Sequence, residues 1–173
     1  MGSLTLQQAL TIIDGTFKAG KKIHTEPLTV AVLDSGGKLI SLQRQDGSSM
    51  MRPDIAIAKA WGALALGCSS RKLAQDADNR PAFISAVNVL AHGNMVPVPG
   101  GLLIRDKDKT VLGAIGVSGD ISDIDESCAI NGIGCAELFS DEMLQAYFSS
   151  NRDNLKRKAE ALCFGFFNES KKR

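Results

Sequence analysis

Apolar residues recur at helical spacing from the start of the chain. Leu6, Ala9, Leu10, Ile13 and Phe17 share one face, with Ser3 or Thr5 as the cap and Gly20 with Lys21-Lys22 as the end. After Pro27 the period falls to two. Val30 and Val32 face one way, Ala31 and Leu33 the other, and Asp34-Ser35-Gly36-Gly37 is turn chemistry. Lys38 to Arg44 supplies the partner strand of a hairpin, closed by Asp46-Gly47. A second helix follows, with Pro53 in its first turn, Ser48 or Ser49 as cap, an apolar stripe of Ile57, Trp61 and Leu64, and Gly67 at its end.

Residues 70–92 carry interrupted helical spacing that restarts at Arg80-Pro81. The loop HGNMVPVPGG leads into a second hairpin, Leu102 to Arg105 and Val111 to Val117, joined by a charged turn. Beyond Ser118-Gly119-Asp120, the spacing Ser122-x-x-Asp125 reads as the capping box of a helix through Ala129, Ile133 and Ala136. Helices alternating with antiparallel hairpins predict an α+β fold whose sheet is covered by helices. The reading places one domain over 1–140. Residues 141–173 then form a basic amphipathic helical extension of it, with Leu155, Ala159, Leu162, Cys163, Phe166 and Phe167 at helical spacing.

Composition narrows the function classes. The 173 residues are 44% hydrophobic and 23% charged, as expected of a globular chain. The formal charge of +1 provides no field to draw the protein to nucleic acid or an anionic membrane. That balance conceals an asymmetry, because residues 151–173 hold 7 basic and 3 acidic side chains. The four cysteines form no Cys-x-x-Cys pair, which together with the absence of a signal-like start predicts free thiols and a cytoplasmic location.

Chemistry-bearing motifs are few. Gly15 to Lys21 matches most of a phosphate loop, but Lys22 stands where magnesium needs Ser or Thr, and the stretch lies within the first helix. Gly113, Gly116 and Gly119 follow strand spacing and predict close backbone contact rather than a dinucleotide fingerprint. There are two histidines. His24 reads as an exposed loop residue or a metal ligand, and His92 as a helix C-cap or a metal ligand. Gly100-Gly101 reads either as part of a constrained crossover or as a pair of backbone N–H groups offered to a carboxylate. Lys59, in an alanine-rich helix, reads as a snorkelling lysine or as a buried one paired with Asp34 or Asp46.

Three segments, VAVLDSGGKLISLQRQDG (30–47), AIAKAWGALALG (56–67) and VLGAIGVSGDISDIDESCAINGIG (111–134), together resemble the GlcG/HbpS-like haem-degrading family, which includes the C-terminal domain of PduO-type proteins. The matching positions include Asp34, Arg44, Asp46, Lys59, Ser118 and Asp125. Two places depart from the pattern: Pro97 and Pro99 precede Gly100-Gly101, and Trp61-Gly62 follows Lys59-Ala60. The resemblance implies a profilin-like or PAS-like layered fold, with an antiparallel sheet of about five strands, and a homo-oligomer. It also implies a haem-binding protein, with iron-dependent oxidative haem breakdown in some members. On that reading His92 or His24 is the iron ligand, and Arg44, Lys59, Gly100 and Gly101 surround the cofactor. Two other readings stand beside it. One is a non-catalytic binding or assembly module for a small carboxylic acid such as a glycolate-like 2-hydroxy acid. The other is a structural partner that docks through residues 151–173.

Overall fold

The computed structural model describes residues 3–144. Contacts divide the chain after Asp141, and the fold below is that of the first unit. The basic helix expected over 151–173, and Cys163 within it, lie outside the described residues.

Helix α1 (Leu6–Ile23) begins with a reciprocal capping box: Gln8 donates its backbone N–H to Thr5 Oγ1 at 3.2 Å, and Thr5 donates its own to Gln8 Oε1 at 3.0 Å. It ends at Ile23, next to the expected Lys21-Lys22 end, and closes on His24 in the left-handed region. Strands β1 (Thr29–Asp34) and β2 (Leu39–Arg44) form the first hairpin. Its turn is organised by Asp34, whose Oδ1 accepts from the N–H groups of Gly36 and Lys38, both at 2.9 Å.

Helix α2 (Arg52–Leu66) starts without the serine cap that the sequence suggested. Met51 is the N-cap and makes no side-chain bond. Ser48 lies three residues before that cap, and its hydroxyl meets Thr29 Oγ1 at 2.8 Å. Helices α3 (Ser70–Asn79) and α4 (Pro81–Leu90) share Arg80 as their junction, as the interrupted spacing implied. Strands β3 (Gly101–Arg105) and β4 (Val111–Ser118) form the second hairpin, and α5 (Ser122–Cys135) follows.

The sheet is antiparallel with order β2-β1-β4-β3. Among the described residues it has four strands, where the resemblance implied about five. Outside them, Arg105 at the β3 edge makes a single bridge to Phe139, too short to count as a strand. Helix α2 covers one face, and α1 and α5 cover the other. Both faces of β1 and β4 are therefore buried, which explains their nearly continuous apolar sequence. Gly116 lets α2 approach this closely, because any Cβ there would collide with the Ala56 carbonyl oxygen. Among the described residues, no helix is long and apolar enough to cross a membrane.

Candidate functional site

The structure sorts the six candidate residues into three separate places. The first is an open groove of about 790 Å³ between the C-terminal end of α1 and the far end of the first hairpin. His24 and Arg44 both line it, with Phe17, Lys21 and Asp46. The local chemistry explains why they meet. Phe17 and Lys21 fall at positions i and i+4 on α1, and His24 caps its C-terminal end in the left-handed conformation. Arg44 is the last residue of β2, and the hairpin carries it to the same end of the molecule. The left-handed turn at His24 is held by backbone bonds from His24 and Thr25 to the carbonyls of Lys21 and Gly20. His24, Lys21 and Arg44 make no side-chain hydrogen bond or ion pair among the described residues. An imidazole and two cations thus face the groove uncommitted.

The second place is buried. Lys59 and Asp125 are 2% and 1% exposed and pair at 2.9 Å. Lys59 Nζ also donates to the Val117 carbonyl at 2.8 Å, and Asp125 Oδ1 accepts the Asp120 N–H at 3.0 Å. Burial lowers the pKa of the Lys59 ammonium against the opposing pull of Asp125. This corrects two expectations: the partner is Asp125 rather than Asp34 or Asp46, and Asp125 is not the capping-box acid of α5. That helix has Ile121 at its N-cap without a side-chain bond. The reason is geometric, because Asp34 is committed to its own turn and a buried ammonium recruits the carboxylate at the nearest helix end.

Gly100 and Gly101 adjoin this pair. A Cβ on Gly100 would lie 2.9 Å from Lys59 Nζ, and Gly101 donates its N–H to the buried Ser70 hydroxyl at 2.7 Å. The ammonium and the Gly101 amide that were candidates for an acid ligand are both engaged within the protein.

His92 stands apart at the end of α4, exposed and left-handed (φ 53°). It lines a shallow depression of about 390 Å³ with Ser85, Asn88, Val89 and Gly93, and shares no lining residue with His24. Reasoning from sequence missed Phe17 and Lys21 as groove residues, although their i, i+4 spacing just before His24 was the available signal. Among the described residues, no group of three or more His, Cys, Asp or Glu could hold a metal ion by itself. One imidazole would suffice where the iron is already held in a macrocycle.

An antiparallel sheet layered between helices, with a groove at the end of α1 lined by one imidazole and several cations, makes this a small α+β domain. The family model described as haem degrading protein HbpS-like matches residues 4–134, and the chain belongs to that family. An uncharacterized 15.0 kDa protein from the dhaT-dhaS intergenic region of Citrobacter freundii is 29% identical over 109 residues, which is 63% of this chain and 75% of that protein. Among solved structures, the PduOC:heme complex superposes with a TM-score of 0.72 at 19% identity, covering 79% of this chain and 97% of that one. Streptomyces reticuli HbpS, solved as a double mutant, gives 0.66 at 26% identity, covering 78% of this chain and 87% of its own.

Proposed function

We propose that the protein binds haem in the groove between α1 and the first hairpin, where His24 would hold the iron and Arg44 and Lys21 would meet the propionates. One observation carries this reading: an uncommitted imidazole and two uncommitted cations line the same open groove as an aromatic ring. The groove's volume falls within the roughly 300–1,000 Å³ of small-molecule and cofactor sites. Membership of a family described as haem-degrading supports the same ligand, as does structural similarity to a protein solved with haem.

The chain's own residues have distinct tasks. The backbone bonds at the α1 terminus fix the His24 main chain, and the negative end of the helix dipole favours positive charge nearby. Arg44, with a planar fork of donors, suits a carboxylate, and Lys21 adds a second cation. Phe17 offers an apolar face to a planar ring. The bound group supplies iron-centred redox chemistry. Oxidative breakdown would also draw on an external oxidant and a reductant, while the protein binds and orients.

Titration with hemin tests the assignment. The wild type should saturate near one haem per chain with a sharp, shifted Soret band. His24→Ala should lose that band shape, His92→Ala should keep it, and Arg44→Glu should weaken binding by about tenfold, equivalent to ~1.4 kcal/mol. An unchanged spectrum in His24→Ala removes His24 as ligand.

A further inference from the structure

A second groove lies on the other side of the last turns of α1, between that helix and α5, and it goes beyond the haem reading. Its volume is about 560 Å³. The two grooves share only Lys18 and Lys21, which form the ridge between them. Their linings differ in kind. The haem groove contains Phe17, Asp46 and Arg44, whereas the α1–α5 groove has neither an aromatic ring nor a carboxylate in its lining.

Its floor is aliphatic and thiol in character, made by Gly15, Ala19, Ile23, Cys128 and Cys135. Ile23 is 55% exposed, an unusual position for an isoleucine on a helix whose other isoleucines are fully buried. The Cys128 thiol is pushed up in pKa by burial and so remains a neutral, apolar lining group near neutral pH. One wall carries charge of a single sign, from Lys18, Lys21 and Lys22. Lys18 is paired with Asp14 at 2.7 Å, while Lys21 and Lys22 have no acidic partner among the described residues. The opposite wall presents the uncharged Ser127 and Asn131.

We infer that this groove binds a linear anionic amphiphile, a medium- or long-chain alkyl carboxylate, with its chain along the Ala19–Ile23–Cys128 floor and its head group at Lys21 and Lys22. The chemistry selects this class in two ways. A floor without aromatic rings favours a flexible aliphatic chain over a planar ring system, and the two rim lysines without an acidic partner among the described residues, Lys21 and Lys22, favour an anionic head over a cationic or neutral one. Lys22 and Ile23 line this groove alone, and His24 and Arg44 line the other alone, so the two sites can be separated by substitution.

The test is calorimetric titration of the full chain with hexanoate, octanoate, decanoate and dodecanoate, all below their micelle concentrations. Affinity should rise with each added methylene by up to about fourfold, the ratio corresponding to ~0.8 kcal/mol per buried CH₂. Lys22→Glu should weaken dodecanoate binding at least tenfold, Lys22→Arg should restore it, and Ala19→Phe should weaken it by filling the floor. None of these three should move the hemin titration, and His24→Ala should leave dodecanoate unaffected. Affinity independent of chain length, or dodecanoate binding insensitive to Lys22→Glu, overturns the proposal. Loss of dodecanoate and hemin binding together in Lys22→Glu, with circular dichroism unchanged, overturns it as well, because the two grooves would then be one site. Failure of hemin binding alone bears only on the haem reading.

Discussion

Single residues govern both the charge economy of the interior and the chemistry of the groove. The Lys59–Asp125 pair is shut away from water, and its polar atoms reach Val117 and Asp120. Breaking such a pair leaves an uncompensated buried charge, so Lys59→Met or Asp125→Leu alone should cost about 3–5 kcal/mol in urea unfolding. The double variant Lys59→Met/Asp125→Leu should recover most of that loss. Equal losses in single and double variants would show that the pair acts by shape rather than charge. Asp120 gives a pH-dependent counterpart. Its carboxylate accepts the N–H groups of Glu26 at 2.9 Å and Ile121 at 2.7 Å, which hold its pKa below the ordinary 3.8. A depressed folded-state pKa stabilises the fold above 3.8, and the benefit fades as pH falls through the folded value. Asp120→Asn should therefore be less stable than wild type at pH 7, with the difference shrinking below pH 3.8. A difference constant from pH 7 to pH 2 would contradict the assignment.

At the scale of elements, packing distance is set by small residues and the ends of helices by local bonds. The β4–α2 contact depends on Gly116 having no side chain, since a methyl group there would run into the Ala56 carbonyl. The backbone of α2 has no room to retreat without disturbing Ala60 and Ala63, which pack on Leu33, Leu103 and Ala114. Gly116→Ala should lower stability by more than about 3 kcal/mol or prevent folding, measured by thermal unfolding and soluble yield. A loss below about 1 kcal/mol would mean that the layers slide apart easily. Much of this level was legible in the sequence. The period of α1, the Asp34 turn, Pro53 and Gly67 around α2, and the Arg80-Pro81 break are local signals, and each element stands where its signal put it. The serine cap of α2 and the capping box of α5 fail because each helix begins elsewhere: Met51, three residues past Ser48, is the N-cap of α2, and Ile121 rather than Ser122 is that of α5. Ser48 and one oxygen of Asp125 instead meet tertiary partners, Thr29 and Lys59. Sequence spacing shows which bonds a side chain can make locally and is silent on distant competitors.

For the whole molecule, the fold divides tasks between its interior and the surface around α1. Of the six residues singled out in advance, Lys59, Gly100 and Gly101 belong to one buried cluster, His24 and Arg44 to one groove, and His92 to neither. Sequence order could not reveal this grouping, because His24 and Arg44 are joined by a hairpin whose register brings residue 29 opposite residue 44. The proposed haem site is therefore defined by location, at the C-terminal end of α1. The most direct test is a ¹H–¹⁵N correlation spectrum of the full chain with and without ferric hemin, whose paramagnetic iron broadens nearby amides. Haem in the α1 groove should selectively remove the amide signals of residues 17–25 and 44–47 and retain those of 85–93 and 100–104. Broadening centred on Val89 to Gly93, or spread evenly over the surface, would contradict it.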